Sequence, residues 1–263
     1  MDNPIERVLV APSFSRGFLF QWDVALEFAD PAPWSFWVQS GQTLEGPWED
    51  MSPEIVGAYG WQQSEGMLLP KDPILFFRIR LQTPKGEYFS DVRTPTGDLN
   101  RTDFLQAREI MRNEVVQARG KAGIIGQIWI KGVHGPRCTE CVDPITRAVV
   151  DPDCDSCQGT GRQSGYHGAY DAWMTFSPRQ RNKGLKGDQL GVHEDYVHTV
   201  RMIGCPVVKK DDVLVDPNSD RRYYVNMVQN TMELRRIPLI QTIEAREAPT
   251  SEHIYRLGNE DND

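Results

Sequence analysis

Four cysteines of this 263-residue chain have the spacing of a metal site. Cys138 and Cys141 form one C-x-x-C pair, and Cys154 and Cys157 form a second pair twelve residues further on. Each pair can form a tight turn that directs two thiolates at one point, and two Asp-Pro turns between the pairs allow the chain to fold back. The spacing therefore predicts a tetrahedral Zn²⁺ site with four thiolate ligands.

Four protein ligands fill a tetrahedral zinc site and leave no position for water or substrate. We therefore expect a structural zinc ion that stabilises a loop-rich segment too small to form a hydrophobic core, and a working metal is the alternative. Gly159 and Gly161 follow the second pair. Glycine at these positions lets the chain turn and direct backbone N–H groups at the sulfurs.

Other roles for the cysteines fit the sequence less well. A disulfide framework does not suit the reducing cytoplasm in which we expect the chain to fold, and an odd number of cysteines leaves one unpaired. A redox role requires a C-x-x-C pair at the start of a helix, and neither pair precedes a helical pattern. We expect His134 to be a surface side chain rather than a ligand, and Cys205 to be a small buried side chain.

No catalytic set stands out in the sequence, so we do not expect an enzyme. The motifs G-x-S-x-G, H-E-x-x-H and G-x-x-x-x-G-K-[ST] are absent. The remaining histidines are scattered along the chain: His167, His193, His198 and His253. The "HED" triplet at 193–195 is predicted to be a solvated loop. The basic run "SPRQRNKGLKG" at 177–187 is predicted to be an exposed loop, with docking on an acidic partner or on DNA as the alternative.

The composition indicates a folded, soluble protein. The chain has seven tryptophans and no low-complexity run. No apolar run approaches the roughly 18 residues of a membrane span, and the N-terminus lacks the pattern of a signal peptide. The formal net charge of −8 disfavours nonspecific binding to nucleic acid, because affinity for phosphate backbones depends on clustered Lys and Arg.

The apolar pattern predicts a mainly β fold with one helix. Strand patterns fill residues 2–95 and return after the cysteines in "DDVLVDPNSDRRYYVNMV" and "RIPLIQTIEAR". The helix is predicted over "RTDFLQAREIMRNEVVQARG", with Thr102 as its cap and Gly120 in a left-handed C-cap. Its core-facing side chains would be Phe104, Ala107, Met111, Val115 and Ala118. Its solvated face would carry Arg108, Glu109, Arg112 and Glu114.

Five segments are predicted along the chain. They are a β-sandwich at 1–97, a linking helix at 98–120, a zinc-binding knot at 121–170, a small C-terminal β domain at 171–257 and an acidic tail at 258–263. The tail is expected to be disordered, because its composition cannot bury apolar surface.

The first segment resembles a fibronectin type III-like domain. Trp22 lies in an early strand, "WSFWVQSG" is followed by "GPWEDMS", and "FFRIRLQTPKGEYFSDV" contains a hairpin signal. These stretches look like strands B, C to C′ and F to G of that fold. The resemblance implies an adhesion or spacer module in which Phe77, Ile79 and Leu81 point into the core against Trp22.

Residues 100–257 resemble virion proteins found at the head-tail junction of tailed bacteriophages. In those proteins a zinc knot of the R-C-x-x-C-x-D-x-x-T type precedes a small β domain. Here "RCTECVDPIT" shows that motif, the second cysteine pair continues as "CDSCQGTG", and "VLVDPNSDRRYYV" and "IPLIQTIEAR" resemble the hairpin and the last strand.

This second resemblance implies a structural virion protein of the neck or collar, a head-tail connector. Such a protein forms a homo-oligomeric ring around the DNA channel and contacts portal or adaptor proteins and tail-terminator proteins. Double-stranded DNA would pass through the ring, no membrane would be involved, and the protein would be located in the virion after assembly in the host cytoplasm.

Two alternatives remain open. One is a nucleic-acid-binding zinc ribbon, based on the knot and the basic run, and the other is a different structural protein of the phage tail or baseplate. For a ring, we expect subunit contacts in the C-terminal β region. Pro238 cannot donate to a ladder, so the last strand, with Ile237, Leu239 and Ile243, is predicted to be a sheet edge.

Overall fold

The computed structural model describes residues 3–12, 18–25, 28, 30–63, 76–94, 101–163, 165–179, 197–235 and 237–258. Strands account for 49% of the chain and helices for 11%, which confirms the prediction of a mainly β fold. The strands are β1 (Ile5–Pro12), β2 (Phe18–Val24), β3 (Ser35–Gly41), β4 (Trp48–Asp50), β5 (Ile55–Val56), β6 (Gly60–Gln62), β7 (Phe76–Thr83), β8 (Gly86–Phe89), β9 (Ile124–Lys131), β10 (Tyr166–Arg179), β11 (Val197–Ile203), β12 (Val213–Asp216), β13 (Arg221–Leu234) and β14 (Ile237–Glu247). The helices are α1 (Arg101–Gly120) and a 3-10 helix (His253–Arg256).

Strands β1 to β8 form two antiparallel sheets that share one core. One sheet has the order β1-β2-β6, and the other has the order β4-β3-β7-β8 with β5 paired to β3. Side chains from both sheets form a single buried cluster. The alternation predicted for β7 is confirmed, because Phe77, Ile79 and Leu81 are all fully buried in the cluster that contains Trp22.

Aromatic rings join the two sheets of this sandwich. The ring of Trp22 lies 5.4 Å from that of Phe36, and the ring of Phe18 lies 5.5 Å from that of Phe77. The stretches compared above with strands B, C to C′ and F to G form β2, β3 to β4 and β7 to β8. Membership of the fibronectin type III-like family stays a prediction.

Strands β9 to β14 form a closed antiparallel barrel, a closure that the sequence pattern does not predict. The order around the barrel is β10-β11-β14-β13-β12-β9, and β9 closes it by pairing with both β10 and β12. Inward-facing residues such as Ile128, Met174, Val200 and Ile243 are fully buried. Strand β9 and the start of β10 fall within the predicted knot segment 121–170, but in the structure they belong to the barrel.

The prediction that the last strand is a sheet edge is wrong. Strand β14 pairs with β11 on one side and with β13 on the other. Pro238 lies outside the ladder with β11, which begins at Ile240, and in the ladder with β13 it pairs with Glu233 directly beside a register shift, where a residue without an N–H is tolerated. Leu239 and Ile243 are buried in the barrel core and cannot form a subunit surface, and Ile237 is partly buried against that core.

Helix α1 packs against β10, β11 and β14. Its predicted core-facing side chains are buried there, apart from the partly buried Phe104, which packs against the same cluster. The predicted charged face is only partly solvated, because Glu114 accepts two hydrogen bonds from the guanidinium of Arg201, at 2.6 and 3.0 Å. None of the described helices has the length and apolar character needed to cross a membrane.

The ends of α1 differ from the predicted caps. The described part of the helix begins at Arg101, so Thr102 is a helical residue rather than the residue before the helix. Gly120 is the last helical residue but does not have a left-handed φ angle. The chain leaves the helix instead through hydrogen bonds from the N–H groups of Lys121 and Gly123 to the carbonyl oxygen of Ala118.

Replacing Trp22 by alanine is expected to lower the free energy of unfolding of the sandwich by about 3–5 kcal/mol, because the indole is only 2% exposed and its removal leaves a cavity. Trp37→Ala is the matched control, since Trp37 is partly exposed under the guanidinium of Arg80 and its loss should cost about 1 kcal/mol. Urea denaturation followed by circular dichroism measures both. Equal costs for the two variants would contradict the assignment of Trp22 to the core.

Candidate metal centre

The four predicted ligands lie in the connection between β9 and β10, residues 132–165. From here on, the knot means this connection, which is shorter than the predicted segment 121–170. The connection leaves the barrel at Lys131 and returns at Tyr166, two residues that lie opposite each other in the β9–β10 ladder. Because its ends are neighbours, the connection must double back on itself. The N–H of Cys138 donates to the carbonyl oxygen of Gly161 at 3.0 Å, which joins the two halves of the knot at its base.

The fold of the knot brings all four predicted sulfurs together. Their Sγ atoms lie within 4.8 Å of one another. The distance is 3.9 Å between Cys138 and Cys154 and 3.2 Å between Cys141 and Cys157. All four residues are buried, with at most 5% exposure, and all are free cysteines. The cluster can therefore hold a metal ion.

The spacing of the sulfurs fits a tetrahedral ion of the size of Zn²⁺. With Zn–S bonds of about 2.3 Å, the sulfurs of a regular tetrahedron lie about 3.8 Å apart, and the separations of 3.2 and 3.9 Å given above lie on either side of that value. Sulfurs in a disulfide lie much closer, at about 2.05 Å. Within the described part of the chain, this is the only group of three or more His, Cys, Asp or Glu residues with such a geometry.

Burial controls the ionisation of these thiols. Burial raises the pKa of Cys141 above the ordinary thiol value, and the sulfur of Cys157 adds to that effect. Burial also raises the pKa of Cys157. Burial opposes ionisation of Cys138 as well, but hydrogen bonds from the N–H groups of Glu140 and Cys141 and from the thiols of Cys141 and Cys157 together lower the pKa of that thiol. Metal binding must therefore displace protons, which makes affinity fall as the pH falls.

Two glycines shape the second cysteine pair in the predicted way. Both have left-handed φ angles, +71° at Gly159 and +72° at Gly161. The N–H of Gly161 donates to the Sγ of Cys157 at 3.3 Å, as expected for a backbone group that supports a thiolate ligand. A Cβ atom on Gly159 would lie only 2.2 Å from the carbonyl oxygen of Pro152, so a larger residue does not fit there.

The C-terminal 3-10 helix contacts the knot through two charged side-chain pairs. The sequence pattern did not predict this contact. The guanidinium of Arg256 pairs with Asp155, and Nδ1 of His253 lies 3.7 Å from a carboxylate oxygen of Asp153. Both aspartates flank Cys154 in the sequence. The partners of the first pair are 101 positions apart, so no local pattern could reveal them.

No histidine in the described part of the chain joins the sulfur cluster. His134 is not the surface side chain that we expected, because it is only 13% exposed and its Nε2 lies 3.2 Å from Oδ1 of Asp23. The ring of His134 also packs against Tyr59, at 5.4 Å between centroids. His134 is buried because Asp23 and Tyr59 of the sandwich pack against this side of the knot.

The other sequence candidates lie away from the metal centre or outside the described residues. His167 is buried beside the hydroxyl of Tyr170, and His198 packs against Tyr223 in the barrel. Cys205 is buried in the barrel core, as predicted. The "HED" triplet at 193–195 and most of the basic run at 177–187 lie outside the described residues.

No family model, curated protein or solved structure matches the chain. The functional proposals below are therefore based on the geometry of the metal centre, on the surfaces around it and on the sequence patterns.

The purified chain is expected to contain about one equivalent of zinc, and Cys138→Ser or Cys157→Ser is expected to lose it, because a serine oxygen does not replace a buried thiolate ligand. Elemental analysis by mass spectrometry measures the metal. Cys205→Ala is the matched control and should keep the zinc, since Cys205 lies in the barrel core. A fully folded protein without metal, or a disulfide between these cysteines, contradicts the assignment.

Gly159→Ala is expected to loosen the centre, so that zinc transfers to a competing chelator faster than from the unchanged chain. The left-handed φ alone costs an alanine about 1–2 kcal/mol, and the close carbonyl of Pro152 adds to that cost. Gly86→Ala serves as the control, because no atom lies within 4 Å of the added methyl group. Equal release rates from the two variants would show that Gly159 does not shape the site.

Proposed function

We propose that this chain is a non-enzymatic structural protein of a tailed bacteriophage, a neck or collar component that forms a homo-oligomeric ring around the DNA channel between head and tail. The observation that carries the proposal is the closed four-cysteine centre, in a segment whose sequence resembles head-tail junction proteins. The proposed neighbours are portal or adaptor proteins and tail-terminator proteins, and the proposed location is the virion.

The role proposed for the metal is structural, and zinc is the metal proposed. Four thiolates complete its tetrahedron and leave no position for a substrate or a reactive water. The buried cluster of the knot consists of the four cysteines, with Val142 packed against it. Such a cluster offers little apolar burial, whereas zinc binding contributes on the order of 10 kcal/mol in small metal-dependent folds. A bound ion can therefore replace the missing core.

The charge of the knot favours a channel protein over a nucleic-acid-binding zinc ribbon. Residues 132–165 contain five acidic residues and three arginines. Acidic surfaces repel the phosphate backbone, so DNA would slide past rather than bind. An affinity of the purified chain for duplex DNA that falls steeply with salt would instead support the zinc-ribbon alternative.

Deletion of this chain from the phage that encodes it is expected to yield DNA-filled heads and separate tails, because the ring that joins them is missing. Electron microscopy of lysates counts joined and separate particles. Supplying the unchanged chain in trans should restore joining, whereas the Cys138→Ser variant should not. Particles that join normally without the chain contradict the neck assignment.

A further inference from the structure

One sheet of the sandwich, β4-β3-β7-β8, holds an arginine between two aromatic rings. The guanidinium carbon of Arg78 lies 4.4 Å from the ring centroid of Trp48 and 4.2 Å from that of Phe89. Arg78 alternates along β7 with the buried residues Phe77 and Ile79, so it faces away from the sandwich core. We call the side chains of Trp48, Arg78 and Phe89 the arginine clamp.

Two glycines make room for one wall of the clamp. A Cβ atom on Gly41 would lie 3.2 Å from the indole of Trp48, and one on Gly46 would lie 2.8 Å from it. Gly46 also has a left-handed φ angle of +99°, which residues with a side chain rarely adopt. Larger residues at these two positions would displace the indole, so the position of this ring over Arg78 depends on glycine.

A chain of hydrogen bonds orients the guanidinium of the clamp. Nε of Arg78 donates to Oε1 of Gln39 at 2.7 Å, and Nε2 of Gln39 donates to Oδ1 of Asp50 at 2.7 Å. The other carboxylate oxygen of Asp50 accepts a hydrogen bond from Arg80 at 2.9 Å. Gln39, at the centre of this chain, is only 6% exposed. The plane of the Arg78 guanidinium is therefore fixed before any ligand binds.

The terminal nitrogens of the Arg78 guanidinium are free. The bond from Nε to Gln39 is the one hydrogen bond that this side chain makes within the described part of the chain, so Nη1 and Nη2 can donate to a ligand. Arg80 pairs with Asp50, whereas no carboxylate of the described residues forms an ion pair with Arg78. Burial lowers the pKa of Arg78, the charge of Arg80 lowers it further, and the charge of Asp50 opposes both effects. An anion at the free edge would stabilise this cation.

A carboxylate is the anion that suits this edge best. The two terminal nitrogens of a guanidinium match the two oxygens of a carboxylate, with all of these atoms in one plane. The rings above and below the guanidinium favour a planar ligand over a tetrahedral phosphate. They also keep water from the two faces of the cation, which strengthens a charge-assisted hydrogen bond at its edge.

We propose that the arginine clamp binds a carboxylate, and that this carboxylate is an acidic side chain of a partner protein. The clamp lies on a sheet face where Phe89 is 39% exposed, so an apolar neighbour of the acidic residue can cover the ring. Aromatic residues and arginine are the types enriched at the centres of protein interfaces. The clamp belongs to the sandwich rather than to the knot, so this inference goes beyond the neck function, and either can fail without the other.

Titration of the zinc-loaded full chain, labelled with nitrogen-15, tests the site by NMR. The probes are two tripeptides with blocked ends, acetyl-Leu-Glu-Leu-amide and acetyl-Leu-Gln-Leu-amide. The glutamate peptide is expected to shift the indole N–H signal of Trp48 and the Nε–H signal of Arg78 until both saturate. The glutamine peptide has the same shape without the charge and is expected to bind at least about tenfold more weakly.

Variants of the clamp test its geometry. Arg78→Lys keeps the positive charge but lacks the planar fork, so it is expected to bind the glutamate peptide about tenfold more weakly. Arg119→Lys is the matched control, because Arg119 lies 5.6 Å from one ring, that of Trp173 on the barrel. It should bind like the unchanged chain. Phe89→Leu removes one wall at an exposed position and should weaken binding by about threefold.

The other outcomes contradict the proposal. Equal affinities for the two peptides, or for Arg78→Lys and the unchanged chain, would show that the fork binds no carboxylate. Acetate that binds as tightly as the glutamate peptide would assign the site to a small free acid instead of a protein side chain, and inorganic phosphate that binds more tightly would exclude the planar ligand. Signals of the barrel show whether each variant is folded. If Arg78→Lys does not fold, Phe89→Leu decides, and unchanged binding by that variant overturns the clamp.

Discussion

The cluster of four buried sulfurs is the constraint on which the fold of the knot depends. Strands β9 and β10 are paired in the barrel, so the segment between them must leave and return at nearly the same point. Within its described residues, 132–163 and 165, that segment has no buried apolar cluster beyond its four cysteines and Val142. Four thiolates that share one cation would give it a defined shape, because each ligand would fix one point of the chain relative to the other three.

The sandwich and the C-terminus then hold the knot from two sides. At its base, Gly135 lies so close to the hydroxyl of Tyr59 that a Cβ atom would be 2.3 Å from it, and His134 reaches Asp23 of the sandwich. At the second cysteine pair, Arg256 of the 3-10 helix meets Asp155. The knot thus contacts the sandwich, the barrel and the C-terminal residues.

Local patterns predicted the four cysteines that cluster and the sandwich core, and failed where distant partners decide the structure. The spacing of Cys138 and Cys157 reflects ligand geometry within one short segment, and the alternation through Ile79 reflects one strand on one core. Pro238 suggested an edge because the missing N–H is a local property, whereas the ladder that makes β14 internal joins Ile240 to Ile203. The burial of His134 likewise depends on Asp23, which lies 111 positions away.

A metal that only holds the chain in shape has a distinctive ligand environment. Its ligand set is complete without solvent. X-ray absorption at the zinc edge of the purified chain tests this claim most directly. We expect the zinc ion to have four sulfur neighbours at about 2.3 Å and no oxygen or nitrogen ligand. A spectrum with an oxygen or nitrogen in the first shell, or with fewer than four sulfurs, would contradict a closed structural centre.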